Sequence, residues 1–186
     1  MHLSKLMKES ATQSNALKTF PNVLGHGDPD VVGIASNSRE VKPGYIFAAL
    51  PGNEVDGVNF VEDAVSRGAV AIITQNSSRC RDITPATPLI ETCNPRLELA
   101  KLAACFFNGQ PDYIAAVTGT NGKSSVVDFI RQLWLLVGYS ASSLGTLGLK
   151  TKQVLENSSL TTPDTVRLHK VLKSLSDREI NYLALE

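Results

Sequence analysis

Thr118-Gly119-Thr120-Asn121-Gly122-Lys123-Ser124-Ser125 places glycines, a lysine and hydroxyl side chains in one short stretch. Those residue types suit phosphate. Gly119 and Gly122 allow a tight backbone whose successive N–H groups point inward, and a helix starting at Lys123 adds about half a positive charge at its N-terminus. Lys123 would reach the β- and γ-phosphates of a nucleotide, and the Ser124 hydroxyl would take a place on Mg²⁺. The strict pattern G-x-x-x-x-G-K-[ST] asks for Gly where Val117 stands, so the loop is a variant. Asn121-Gly122 alone would also suit a type I′ hairpin turn. Against that, Val126, Phe129, Ile130, Leu133 and Val137 recur at helical spacing directly after it.

Such a loop needs a strand before it and a helix after it. Tyr113-Ile114-Ala115-Ala116-Val117 is an apolar, strand-like run, which completes the order strand, Gly-rich loop, Lys-Ser, helix. Tyr182-Leu183-Ala184-Leu185-Glu186 reads as a buried strand ending in a carboxylate, well placed to hold Mg²⁺ directly or through water. Between them, Leu168, Val171, Leu172 and Leu175 mark one face of a helix. Thr161, Thr162 and Asp164 precede that helix. The threonine hydroxyls suit either capping or a polar substrate, and Asp164 is itself a candidate cap.

The first half of the chain reads as mixed α/β. An amphipathic helix around Leu3–Leu17 leads to a Pro-, Gly- and Asp-rich loop over Pro21–Asp30. Val31–Ala35 and Tyr45–Leu50 are strand-like runs separated by Lys42-Pro43-Gly44. Asn59–Gly68 reads as a helix closed by Gly68, and Ala69–Ile73 as a buried strand. Asn94 as N-cap and Pro95 at the first helical position open a helix with Leu99, Leu102, Ala103 and Phe106 on one face, stopped by Asn108-Gly109. Gln110-Pro111 is a linker, which predicts domains over 1–109 and 110–186.

Composition narrows the classes. The 186 residues hold 18 Lys+Arg against 18 Asp+Glu, so no broad basic face points to nucleic acid or a membrane surface. No apolar run approaches the ~20 residues that span a bilayer, and the opening residues lack a signal-peptide core, so a cytoplasmic protein is expected. Cys80, Cys93 and Cys105 show no C-x-x-C spacing, and His2, His26 and His169 form no ligand pattern. Reduced thiols and no zinc site are expected.

The loop Thr118–Ser124 resembles the ATP loop shared by the Mur ligases and folylpolyglutamate synthase, both of which form amide bonds through acyl phosphates. Ser38-Arg39-Glu40-Val41-Lys42-Pro43-Gly44 through Pro51-Gly52, with Asp56-Gly57, Phe60, Ala64 and Gly68-Ala69, resembles the leading UDP-binding domain of the Mur ligases. Leu144-Gly145-Thr146-Leu147-Gly148 and Leu160-Thr161-Thr162-Pro163-Asp164 are similar to the MurE type, which adds the third residue of the peptidoglycan stem peptide. MurF-type ligases and a non-catalytic nucleotide-binding module are the alternative readings.

The resemblance implies a UDP-MurNAc-dipeptide domain over 1–109, followed over 110–186 by the first part of a P-loop-type parallel-sheet ATPase domain, truncated and lacking the C-terminal domain. It implies ATP and Mg²⁺, the substrate UDP-N-acetylmuramoyl-L-alanyl-D-glutamate (UDP-MurNAc-L-Ala-D-Glu) and a diamino acid, meso-diaminopimelate or L-lysine, whose site lies outside this chain. A monomer is expected. Thr118, Gly119, Thr120, Asn121, Gly122, Lys123, Ser124 and Ser125 would bind ATP, with Lys123 catalytic and Ser124 and Glu186 on the metal. Ser36, Ser38, Asn53, Glu54 and Val55 match the uridine-diphosphate contacts, and Thr161 and Thr162 the contacts to the muramoyl-dipeptide. The family's Asp-Ser-Arg reads Asn37-Ser38-Arg39 here, which removes a carboxylate. Alone, the chain is expected to bind UDP-sugar without ligating.

Overall fold

In the computed structural model, which describes residues 1–13, 21–52, 55–146, 148–151, 155–156 and 164–186, the chain divides into units Met1–Phe106 and Phe107–Glu186. The first unit runs α1 (Leu3–Gln13), β1 (Asn22–Leu24), β2 (Gly33–Ala35), β3 (Tyr45–Ala48), α2 (Val61–Ser66), β4 (Ala69–Thr74), α3 (Ser77–Ile83), β5 (Leu89–Glu91) and α4 (Pro95–Phe107). Its sheet has the order β1-β5-β4-β3-β2, with β2 to β5 parallel and β1 antiparallel to β5.

Strand alternation sorts the core of this unit. Ala35, Phe47, Ile72 and Leu89 point to one face and pack with Val61 and Ala64 of α2 and Cys80 of α3. Their neighbours Ile46, Ile73 and Ile90 point the other way and are fully buried, as are Leu6 of α1 and Leu102 of α4. A parallel sheet covered on both faces explains why these strands read as continuous apolar runs. Helix starts are capped by side chains. Asn76 Oδ1 accepts from the Arg79 N–H and Asn94 Oδ1 from the Leu97 N–H, each at 3.1 Å, and each such cap contributes about 1 kcal/mol.

The structure corrects several boundaries. The expected loop over Pro21–Asp30 contains β1, a strand created by pairing with β5, where Val23 aligns with Ile90, and not by local propensity. The expected helix Asn59–Gly68 is a 3₁₀ turn over Gly57–Phe60 followed by α2, because the Asp56 side chain accepts from the Val58 N–H and starts the chain turning earlier. The strands expected over Val31–Ala35 and Tyr45–Leu50 are trimmed to β2 and β3. Residues 14–17 of the expected first helix lie outside the described residues.

The second unit runs β6 (Tyr113–Ala116), α5 (Lys123–Leu136), β7 (Ala141–Gly145), β8 (Gly148–Lys150), β9 (Leu155–Glu156), α6 (Thr165–Asp177) and β10 (Tyr182–Leu185). The sheet order is β6-β10-β7-β8-β9, with β6, β10 and β7 parallel and β8 and β9 added antiparallel, so β6 lies at an edge. Helix α6 covers one face, where Leu172 and Leu175 meet Leu144, Leu149 and Leu183. Helix α5 packs against β7 and β10. Its outward side leaves Phe129, Leu133 and Leu136 exposed. Tyr182 stacks between Tyr113 and Tyr139, with ring centroids 4.7 and 4.4 Å away, and so ties β10 to β6 and to the turn after α5.

Candidate functional site

The phosphate-type loop leaves β6 later than the strict motif would. The Val117 N–H still donates to Leu185 O at 2.8 Å, so position 117 continues the ladder and the loop proper begins at Thr118. That accounts for a valine where the strict pattern has glycine. Gly119 and Gly122 adopt φ of +150° and +78°, the second in the left-handed region as the residue that opens α5. A Cβ at either position would meet no atom within 4 Å, so the demand for glycine there is conformational and not steric. The helix that follows excludes the hairpin reading of Asn121-Gly122.

No side chain caps α5, so the amides of its first turn are left for an external acceptor. The Lys123 ammonium folds back and donates to Gly119 O at 2.8 Å, spanning the loop it would serve. Thr118, Thr120, Asn121 and Ser125 are exposed around it. The loop is an open cradle of donors with the Lys123 ammonium beside it, the chemistry that polyphosphate requires.

Glu186 follows β10 and reaches the same place. Its N–H donates to Leu144 O at 2.9 Å, which keeps its backbone in register with β7. Ser124 Oγ donates to Glu186 Oε2 at 2.8 Å. Thr146, in the turn between β7 and β8, donates to the same carboxylate twice, from its N–H to Oε2 at 3.2 Å and from its hydroxyl to Oε1 at 3.1 Å. These bonds, the Ser124 hydroxyl first, together with the nearby Lys123 charge, hold the Glu186 carboxyl below the usual glutamate range against a smaller upward push from burial. A hydroxyl and an ionised carboxylate converging beside a phosphate cradle form a hard-oxygen donor set that fits Mg²⁺, which takes few protein ligands and fills its shell with phosphate and water. Asp128, one turn beyond Ser124 on α5, accepts from Arg131 at 3.0 Å, Gln132 at 2.7 Å and Lys150 at 3.4 Å, and thereby links α5 to β8.

The first unit carries a separate cavity of about 560 Å³ at the carboxyl ends of β2 and β3. Ser36, Ser38 and Val55 all line it, together with Arg39, Phe60, Asp63 and Arg67. The Ser38 hydroxyl bonds Asp63, and that bond, with the Arg67 guanidinium 2.9 Å from Asp63 Oδ1, keeps the Asp63 carboxyl below its usual range. Asn37 Oδ1 accepts from the Arg39 N–H at 3.1 Å. That bond needs an acceptor oxygen and no charge, so asparagine performs it as well as the aspartate of the Asp-Ser-Arg pattern.

The structure therefore brings Lys123, Ser124 and Glu186 together in one unit and Ser36, Ser38 and Val55 together in the other. Asn53, Glu54, Thr161 and Thr162 lie outside the described residues. Asp164 caps α6, its Oδ1 accepting from the Arg167 N–H at 2.9 Å. Sequence reading missed Thr146, and it missed Asp63 and Arg67. The last two carried a signal, an Asp-x-x-x-Arg spacing that puts both side chains on one side of a helix.

Comparison with known proteins gives concordant matches. A family model described as "Mur ligase family, catalytic domain" matches residues 30–118, and one described as "Mur ligase middle domain" matches residues 117–186. A UDP-N-acetylmuramoyl-L-alanyl-D-glutamate–2,6-diaminopimelate ligase of Mesorhizobium japonicum is 44% identical over 159 residues, covering 86% of this chain and 32% of that protein. The protein of the same name from Brucella melitensis is 42% identical over 160 residues, with the same coverage of 86% and 32%. A solved structure of a ligase with that name superposes with a TM-score of 0.68 at 26% identity, over 84% of this chain and 31% of the other. The chain thus spans about a third of the length of the curated relatives it matches.

Proposed function

Because the chain belongs to the Mur ligase family, we propose that it forms the sugar-nucleotide-binding and ATP-loop portions of a ligase that adds the third stem-peptide residue to UDP-N-acetylmuramoyl-L-alanyl-D-glutamate. The observation that carries this reading is the convergence of Lys123, Ser124 and Glu186 on the open end of α5. Residues 1–109 hold the uridine diphosphate, with Ser36, Ser38, Asn53, Glu54 and Val55 as its contacts. Residues 110–186 hold ATP through Thr118–Ser125. Thr161 and Thr162 contact the muramoyl-dipeptide.

The chemistry rests on positioning and charge. The loop amides and the Lys123 ammonium take the β- and γ-phosphates and neutralise charge as the γ-phosphoryl group passes to the D-glutamate carboxylate, giving an acyl phosphate. The Ser124 hydroxyl and the Glu186 carboxylate hold Mg²⁺, which supplies further neutralisation of the phosphate oxygens when bound. An incoming amine then displaces phosphate to form the amide. The relatives' names specify 2,6-diaminopimelate, which we take as that amine in preference to lysine. We take the reaction to be cytoplasmic and the enzyme to act as a monomer, with ATP and the UDP-linked sugar as co-substrates.

Calorimetric titration of UDP-N-acetylmuramoyl-dipeptide into the chain tests the reading. Saturable binding that Ser38→Ala weakens is the expected result. Absence of binding, together with failure to bind ADP, would rule the assignment out.

A further inference from the structure

Glu186 is seated by a device separate from the loop it serves. The end of β7 brings Gly145, and the turn after it Thr146, against the Glu186 carboxylate, and each contributes something different. Thr146 donates to both carboxylate oxygens, from its N–H to Oε2 and from its hydroxyl to Oε1, which fixes the rotation of the carboxylate plane. Gly145 supplies room. A Cβ built there would sit 2.7 Å from Glu186 Cβ and 2.7 Å from Oε2, closer than such contacts occur, so any side chain at 145 would push the carboxylate off its place. The two observations are independent, one a pair of hydrogen bonds and the other a steric vacancy, and they act on the same group.

The fixed orientation has a consequence at Ser124. With Oε1 turned to the Thr146 hydroxyl, Oε2 is the oxygen left facing Ser124 Oγ at 2.8 Å. A freely rotating carboxylate at a strand end would lose side-chain entropy on being ordered for each binding event. One held by two donors has met that cost during folding.

We propose that Gly145 and Thr146 are positioning residues that pre-orient Glu186 toward Ser124 for a divalent cation held with a nucleotide. The inference rests on the cation role given to Ser124 and Glu186 under the proposed function. Neither Gly145 nor Thr146 touches the cation itself. Residues that orient metal ligands through hydrogen bonds typically change metal affinity about 10–100-fold when lost.

The test is binding of Mn²⁺, as a spectroscopic stand-in for Mg²⁺, to the chain with ADP, followed by electron paramagnetic resonance. ADP binding without metal and thermal melting are measured in parallel on wild type, Glu186→Gln, Thr146→Val, Thr146→Ser and Gly145→Ala. Thr146→Val and Gly145→Ala are expected to weaken Mn²⁺ binding roughly 10–100-fold, with Thr146→Ser near wild type and with metal-free ADP affinity and melting unchanged in the two Thr146 variants. Thr146→Val binding Mn²⁺ as wild type does, while Glu186→Gln does not, would overturn the positioning role and leave the cation site standing. Equal loss of metal-free ADP binding or of melting temperature in Thr146→Val would also overturn it, by reducing the turn to a structural element. Wild type that fails to bind Mn²⁺ with ADP, or Glu186→Gln that binds it normally, would overturn the cation site and the inference with it.

Discussion

The Ser124 hydroxyl donates to Glu186 Oε2 at 2.8 Å across a sequence separation of 62 residues, and this one bond joins the start of α5 to the end of β10. It is also the largest influence holding the Glu186 carboxyl below its usual range. A carboxylate with a depressed folded-state value contributes stability above its unfolded value, near 4.5, and loses that contribution as pH falls through the folded value. Ser124→Ala should therefore move the Glu186 titration upward toward that value, read by carboxyl NMR. An unchanged midpoint would show that Thr146 and Lys123 account for the depression without Ser124.

The role proposed for Lys123 is expected to matter for function and little for stability. Among the described residues its ammonium bonds the Gly119 carbonyl of its own loop, and such partly exposed contacts contribute less than about 1 kcal/mol. In a full-length ligase of the kind proposed, Lys123→Ala should abolish ATP turnover and leave the melting temperature within about 2 °C of wild type. Normal turnover by that variant would remove Lys123 from the mechanism.

Glu98 on α4 is 3% exposed, and burial pushes its carboxyl up while Lys101 pulls it partway back. A raised folded value means the folded state binds the proton more tightly, so this residue favours folding at low pH and opposes it as pH rises through the folded value. Glu98→Gln should raise the melting temperature at pH 8, and the gain should shrink toward zero as pH falls below the unfolded value of 4.5, where wild type becomes protonated both folded and unfolded. A gain independent of pH would mean that shape, and not charge, is responsible.

Ser142 lies fully buried on β7, and its hydroxyl has no hydrogen-bond partner among the described residues. A buried hydroxyl left unpaired costs about 1–3 kcal/mol, whereas alanine gives up only a small volume. Ser142→Ala should unfold at equal or higher urea concentration. A loss of more than about 1 kcal/mol would indicate that a water or a partner satisfies the hydroxyl in solution.

How much of this was legible in sequence depended on how local each signal was. The loop at Thr118–Ser125 and the helix after Asn94-Pro95 are specified within a few residues, and both formed as expected. Strand β7 was not anticipated, because Ala141-Ser142-Ser143-Leu144-Gly145 has no β-branched residue and becomes a strand by lying between β10 and β8. Helix α3 was overlooked although Asn76 announces it, since Ser77–Ile83 is too short and polar to show a period. Thr146 carries no signal of its own in the sequence. Its partner lies 40 residues downstream, and no spacing rule connects a turn to the far end of another strand.

Strand β6 ends in the phosphate loop yet pairs with β10 on one side only among the described residues. Its two faces are also unusually open, with Tyr113 and Ile114 exposed. A neighbour added along that edge would further restrain the residues leading into Gly119, which the proposed nucleotide would restrain as well. Thermodynamic linkage then runs both ways: whatever factor the added strand contributes to nucleotide affinity, the nucleotide returns to docking of the strand. Nucleotide occupancy would in that case act as a reporter of whether the sheet is complete.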